Sequence, residues 1–168
     1  MAAIYSDLEG KIVYVTGGAS GIGKAIVQAF AAQKAQVVFF DLNEQAGEGL
    51  ASELQQDRRS VHFIPLDLRD IDALQAAFAK ARTQVGPANI LINNAGMLIN
   101  KPFSEINFES WRKIYSTNVF GPAQLIKALL PLLIKKETDA LSHIVNISSI
   151  GGVQGSLKFP GLSAYSSS

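Results

Sequence analysis

Thr16-Gly17-Gly18-Ala19-Ser20-Gly21-Ile22-Gly23 decides the reading of the fold, because it joins an apolar run to an amphipathic segment. The run before it, Ile12 to Val15, is β-branched and aromatic without a polar side chain, which suits a strand buried on both faces of a parallel sheet. Glycines at that strand's carboxyl end let the backbone turn sharply and let a pyrophosphate approach main-chain N–H groups. The following helix adds its partly positive amino end. The glycines fall at 17, 21 and 23, giving T-G-x-x-x-G-x-G and not the G-x-G-x-x-G of other dinucleotide folds. No Gly-Lys-Ser/Thr follows, which argues against a nucleoside triphosphate with magnesium. Taken alone, such a cluster also fits an ordinary strand-to-helix turn.

Working outward, a first helix starts near Gly21 and is expected to turn Ile22, Ala25, Ile26, Ala29 and Phe30 toward the sheet. Gln36 to Phe40 reads as the second strand, and Asp41 stands at its carboxyl end, 18 residues after Gly23. That acid has two readings: a helix-start residue for the segment 43–57, or a carboxylate accepting hydrogen bonds from an adenosine ribose, and the distance from the glycine turn favours the second. Val61 to Ile64 is the third strand, followed by Pro65-Leu66-Asp67-Leu68. A helix from Ile71 to about Val85 then presents Leu74, Ala77, Phe78 and Ala81 on one face before Gly86-Pro87 stops it.

Ile90 to Ile92 is the fourth strand and runs into Asn93-Asn94-Ala95-Gly96, whose amides can be turn formers or can tie neighbouring strand ends together around a ligand. A long helical segment, Phe108 to Lys136, is interrupted by Gly121-Pro122 and Pro131, where bends are expected. Trp111, Ile114, Tyr115, Phe120, Leu125, Ile126, Leu129, Leu130 and Leu133 make it more apolar than one sheet-facing stripe requires, which points to contact with a second subunit. Asn118 is its odd member and needs partners if buried. His143 to Ile147 is the fifth strand, closed by Ser148-Ser149. A glycine-rich stretch, Gly151 to Gly161, leads to the Ser163-Ala164-Tyr165 terminus.

Strands alternating with helices, without repeat or linker, define one domain over residues 1–168: a Rossmann-type, doubly wound parallel sheet with helices on both faces. Ligands in such sheets bind at the carboxyl ends of the strands, where each of these polar residues falls. With 48% apolar residues the chain can bury one sizeable core, and a formal charge of +1 with interspersed signs argues against nucleic acid or an anionic membrane surface as partner. There are no cysteines, and His62 and His143 are too separated for a histidine metal site, so no metal is expected. The start, Met1 to Lys11, lacks a long apolar region, and the longest greasy run, Ala128 to Ile134, is too short for a bilayer. A cytoplasmic location without a membrane anchor is the expectation.

Over essentially its whole length the sequence resembles the short-chain dehydrogenase/reductase family of the conventional subtype. Thr16 to Gly23 looks like the family's cofactor turn, Asn93 to Gly96 like its N-N-A-G element, Asn118 like its helix asparagine, Ile144 to Ser149 like its serine-bearing strand and Tyr165 like its tyrosine. The resemblance implies hydride transfer between a nicotinamide cofactor and a small-molecule alcohol or ketone. Tyr165 would be the acid/base, with Ser149 and Asn118 supporting it. It further implies cofactor contacts from Gly17, Ser20, Gly21, Ile22, Gly23, Asp41 and Leu42, from Asp67 and Leu68 beside adenine, and from Asn94, Ala95 and Gly96 on the nicotinamide ribose side. Asp41 implies NAD(H) over NADP(H), since a carboxylate repels a 2'-phosphate and neither Gly18 nor Leu42 is replaced by a cation. A homodimer or homotetramer through the Phe108 to Lys136 helix is expected.

The sequence departs from the family pattern in two places. The family's lysine four residues after the tyrosine falls at position 169, beyond Ser168. An unperturbed tyrosine, with a pKa near 10, needs about 4 kcal/mol of phenolate stabilisation to act at neutral pH, so a cation is required. The last strands and covering helices are missing as well, and a core without them would expose apolar surface and unpaired strand groups. We therefore expect the sequence to be part of a longer protein, a view that an intact mass near 18 kDa would refute. Ser149 and Tyr165 are 16 apart, about three more than usual, so residues between Gly155 and Leu162 are expected to bulge into a substrate lip. Ser148 and Ser149 both remain candidates for the hydroxyl, with Ser149 preferred because Gly152 follows it at the familiar distance. The alternatives are a dinucleotide-binding module without turnover, or an interaction protein using the apolar helix, which leaves the polar strand ends unexplained.

Overall fold

In the computed structural model, which describes residues 3–133, 141–155 and 157–168, five parallel strands form one sheet in the order β3-β2-β1-β4-β5. The strands are β1 (Ile12–Thr16), β2 (Gln36–Asp41), β3 (Val61–Pro65), β4 (Ile90–Asn93) and β5 (His143–Asn146). The helices are α1 (Gly21–Ala32), α2 (Glu44–Gln56), α3 (Ile71–Gln84), α4 (Phe108–Tyr115), α5 (Gly121–Leu133) and α6 (Ser163–Ser166). Polar residues at the strand ends still pair: Thr16 is in register with Phe40, and Asn93 with Asn146. The strands therefore extend about one residue past their apolar cores.

Alternation along the central strands splits the core into two layers. Val13, Val15, Val37 and Phe39 face α1 and α2 with Val27, Leu50 and Leu54. Tyr14, Val38, Phe40 and Leu91 face α3 and α5 with Leu74, Phe78, Leu125 and Leu129. Phe40 stacks on Phe78 with ring centroids 4.6 Å apart, and the Tyr14 hydroxyl donates to the Gly86 carbonyl at 2.8 Å. Burial drives the Tyr14 phenol up to about 12.

The expected α3 face is the buried one. The expected α1 face is not. Gly23, Val27 and Ala31 are buried, with Ile26 and Phe30 partly so, whereas Ile22, Ala25 and Ala29 are exposed. The helix is rotated because Gly23, lacking a side chain, is the residue that abuts the Gly17 carbonyl. Ile22 is thereby freed to line a cleft. Helix α2 is capped by Asn43, whose Oδ1 accepts from the Ala46 N–H at 3.0 Å, and α3 by Asp70.

The long helical segment is not one α-helix. A π-helical turn, Ser116–Phe120, separates α4 from α5, and the Gly121 N–H reaches back to the Ser116 carbonyl. Pro122 has no N–H to give Asn118, so the ladder widens there. Ile134 to Lys136 of the expected helix lie outside the described residues. No helix among the described residues is long and apolar enough to cross a membrane.

Candidate active site

The sheet order reverses between β1 and β4, since the chain builds outward to β3 on one side and to β5 on the other. A crevice at that seam is where open parallel sheets hold ligands. Here it is a cleft of about 1080 Å³. Gly17, Ser20, Gly21, Ile22, Gly23, Asp41, Leu42, Asp67, Leu68, Asn94, Ala95, Gly96, Asn118, Ser149 and Tyr165 all line it, as do Ser148 and Arg69.

The glycine turn is held from three sides. Gly17, at φ 66°, donates its N–H to the Phe40 carbonyl at 2.7 Å. Asp41 Oδ2 accepts from the Ala19 N–H at 2.9 Å, and Oδ1 accepts from the Asn43 N–H at 2.9 Å. Asn94 Nδ2 donates to the carbonyls of Thr16 and Gly17 at 3.0 and 3.1 Å. A Cβ on Gly23 would overlap the Gly17 carbonyl oxygen and lie 2.5 Å from Asn94 Nδ2, so this approach of helix to turn requires glycine. No side chain caps the amino end of α1 at Ser20, and a Cβ on Gly21 would meet nothing within 4 Å. These two features leave an open, electropositive helix start of the kind that binds phosphate.

Further along, Asn93, which ends β4, and Asn94 just after it tie strand ends together. Asn94 links β4 to β1, and Asn93 Nδ2 donates to Asn146 Oδ1 of β5 at 2.8 Å. Asp67 accepts from Arg69 Nη2 at 2.6 Å and from its Nε at 2.9 and 3.1 Å. This arginine holds the Asp67 carboxyl below its usual range.

Asn118 lies in the π turn. Its Oδ1 accepts from the Met97 N–H at 2.7 Å, and its Nδ2 donates to the Met97 carbonyl at 3.0 Å and to Ser168 Oγ at 2.9 Å. Ser149 caps a single 3-10 turn, Ile150–Gly152, with Oγ accepting from the Gly151 N–H at 3.2 Å. Gly151 borders both reactive candidates, since a Cβ there would stand 3.5 Å from Ser149 Oγ and 4.0 Å from Tyr165 Cε1.

Several residues at the site escaped the sequence reading. Buried Thr16 accepts the N–H groups of Asn94 and Ala95 on Oγ1, at 3.1 and 3.0 Å, and so fixes the β1–β4 seam. Its signal was a lone hydroxyl ending an apolar strand. Met97 and Arg69 gave no local signal, because their partners are set by loop geometry. Of the stretch expected to form a substrate lip, Lys158 to Leu162 line a smaller cavity of about 540 Å³ with Phe103, while Gly152, ahead of that stretch, lines the large cleft. Lys158 Nζ folds the loop back by donating to the carbonyls of Gly151 and Val153 at 2.6 and 2.7 Å.

A reversed strand order, a glycine turn opening onto an uncapped helix start and an acid ending the next strand place the chain among the dinucleotide-binding α/β proteins. The family model for short chain dehydrogenase matches residues 11–168, and the chain belongs to the short-chain dehydrogenase/reductase family. It is 34% identical over 163 residues to the probable galactose dehydrogenase GalD of Rhizobium meliloti, covering 96% of this chain and 61% of that one. Among solved structures, a short chain dehydrogenase/reductase from Burkholderia phymatum in complex with NAD superposes with a TM-score of 0.88 at 25% identity, over 98% of this chain and 56% of that one. A blue fluorescent protein from a metagenomic library, in complex with NADPH, gives 0.84 at 29% identity, over 95% and 63%. The chain thus spans less than two thirds of each of these relatives.

Proposed function

We propose that the protein transfers hydride between NAD(H) and a small alcohol or carbonyl compound. The observation that carries this reading is the shared cleft: the glycine turn and Asp41 at one end, Asn94 midway, and Asn118, Ser149 and Tyr165 at the other. The residues fit a dinucleotide, since the open start of α1 suits a diphosphate and the Gly23–Gly17 contact brings helix and turn as close as backbone allows. A nicotinamide coenzyme, when bound, supplies the hydride donor or acceptor.

The chain's own residues supply the proton chemistry and the positioning. Oxidising an alcohol requires its hydroxyl proton to leave as hydride departs, and the Tyr165 phenol is the acid/base that takes it or, in reduction, gives it back. Ser149 orients the substrate oxygen toward that phenol. Asn118 holds the Met97 backbone and the Ser168 hydroxyl, and so fixes the floor beside Tyr165.

Preference for NAD(H) is supported by Asp41, whose negative charge at the end of β2 opposes a 2'-phosphate. Among the described residues lining the cleft, Arg69 is the one cation, and it is committed to Asp67. Self-association through α4, the π turn and α5 is supported by exposed Phe108, Phe120 and Leu130.

The test uses the complete protein. Added NADH should quench the protein's tryptophan fluorescence, the protein should reduce NAD with members of a secondary-alcohol panel, and Tyr165→Phe should abolish turnover while sparing NADH binding. Full turnover by Tyr165→Phe would refute the assigned role.

A further inference from the structure

Strand order puts the recognition of a base one strand beyond the ribose. Asp41, which ends β2, is in register with Pro65 of β3, and the Leu66 N–H donates to the Asp41 carbonyl at 3.0 Å. Neighbouring strands lie about 4.8 Å apart, so a base attached to a ribose at Asp41 falls against the residues that leave β3. Those are Leu66, Asp67, Leu68 and Arg69, and all four line the cleft. Leu66 and Leu68 are buried and make an apolar wall, beside which Asp67 supplies a carboxylate.

What that carboxylate can recognise is set by Arg69. Asp67 Oδ1 accepts from the Arg69 backbone N–H at 3.0 Å and from Nε at 2.9 Å, and Oδ2 accepts from Nη2 at 2.6 Å while sharing Nε at 3.1 Å. The two oxygens of a carboxylate offer about four acceptor positions. Oδ1 is therefore filled, and Oδ2 keeps room for one further donor. The rigid guanidinium fork fixes the plane of the carboxylate, so the position left over takes an N–H and repels a carbonyl oxygen. Glu109, at the start of α4, stabilises the guanidinium further. With 31% of the Asp67 side chain exposed, that position is open to a ligand in the cleft. We propose that Arg69 is a positioning residue that sets the base specificity of the cleft: by orienting Asp67 it selects a purine carrying a 6-amino group over one carrying a 6-oxo group. This rests on the dinucleotide reading given above.

The test titrates the complete protein with NADH and with reduced nicotinamide hypoxanthine dinucleotide, whose purine carries a 6-oxo group, and follows the quenching of tryptophan fluorescence. The unmodified protein should bind NADH about tenfold more tightly, a modest factor because the carboxylate is part-exposed. Arg69 lies outside both core layers, so its variants should fold. Arg69→Met should bring the preference down to about twofold, mostly through weaker NADH binding, and Arg69→Lys, which keeps the charge and loses the fork, should do the same. A merely structural arginine would weaken both dinucleotides alike and leave their ratio where it was. Equal affinity of the unmodified protein for the two overturns base recognition by Asp67. An unmoved ratio in Arg69→Met overturns the role of Arg69, and a ratio kept by Arg69→Lys overturns orientation as its means. Turnover does not enter these titrations, so a protein that shows the preference and its loss but oxidises no alcohol refutes the hydride-transfer reading alone.

Discussion

Gly23→Ala puts the packing of the glycine turn to a quantitative test. By helix propensity alone, alanine inside α1 would stabilise by about 1 kcal/mol. The structure reverses the sign. The new methyl would overlap the Gly17 carbonyl oxygen, lie 2.7 Å from the Gly17 carbonyl carbon and 2.5 Å from Asn94 Nδ2, and two of these three neighbours are backbone. Relief means lifting the first turn of α1 by roughly an ångström, at an overpacking cost of about 1–3 kcal/mol. It also breaks the two Asn94 amide bonds to Thr16 and Gly17, at about 1 kcal/mol each. After the propensity gain, a net loss of about 2–4 kcal/mol is expected. NADH affinity should fall by at least about tenfold as the first-turn N–H groups move off the diphosphate, equivalent to about 1.4 kcal/mol.

The control is Gly49→Ala in α2, where an added Cβ meets nothing within 4 Å. It should stabilise by about 0.5–1 kcal/mol. Urea unfolding followed by circular dichroism, with NADH fluorescence titration, measures both variants. If Gly23→Ala is as stable as the parent and binds NADH equally well while Gly49→Ala behaves as stated, the close-approach argument is wrong.

Thr16→Val keeps the shape of a fully buried side chain and strips two N–H groups of their acceptor, so unfolding should cost about 2–4 kcal/mol less, as read by chemical denaturation. Asp41→Asn removes the charge but retains an oxygen for the Ala19 N–H. The ratio of NADPH to NADH affinity should then rise by about tenfold in a fluorescence titration, and an unmoved ratio would contradict the assigned selectivity. Tyr14, with its pKa raised by burial from the ordinary tyrosine value near 10 to about 12, favours the folded state fully below pH 10. That contribution is lost as pH rises toward 12. Tyr14→Phe should therefore flatten the alkaline fall in stability over this interval, at a cost near neutrality of about 1 kcal/mol for the bond to Gly86.

The strands were legible because a parallel sheet covered on both faces demands unbroken apolar runs, and Val13–Val15, Val37–Phe40 and Ile90–Ile92 are such runs. Their ends were less so. Thr16, Asp41 and Asn93 look like loop residues by chemistry, yet their backbones complete ladder pairs. The periodicity of α1 misled by one position, since hydropathy counts Ile22 as core and cannot register that Gly23 must be the residue nearest the turn. Helix α3 has no such close approach and was read correctly. Candidate site residues were visible where chemistry is local, as in the glycine turn and the asparagine pair. The Asp67–Arg69 pairing and the Met97 bonds to Asn118 depend on how loops fold and meet, which no local pattern encodes.

The seam between β1 and β4 divides labour as well as strands. Of the residues lining the cleft, Gly17, Asp41 and Asp67 come before β4 in the chain, and Asn118, Ser149 and Tyr165 come after it. On the function proposed above, the carboxylate that selects the coenzyme and the residues that act on the substrate then belong to separate stretches of polypeptide joined at Asn94. Changes made at the two ends should combine without interference, leaving each property free to be altered while the other stays as it was.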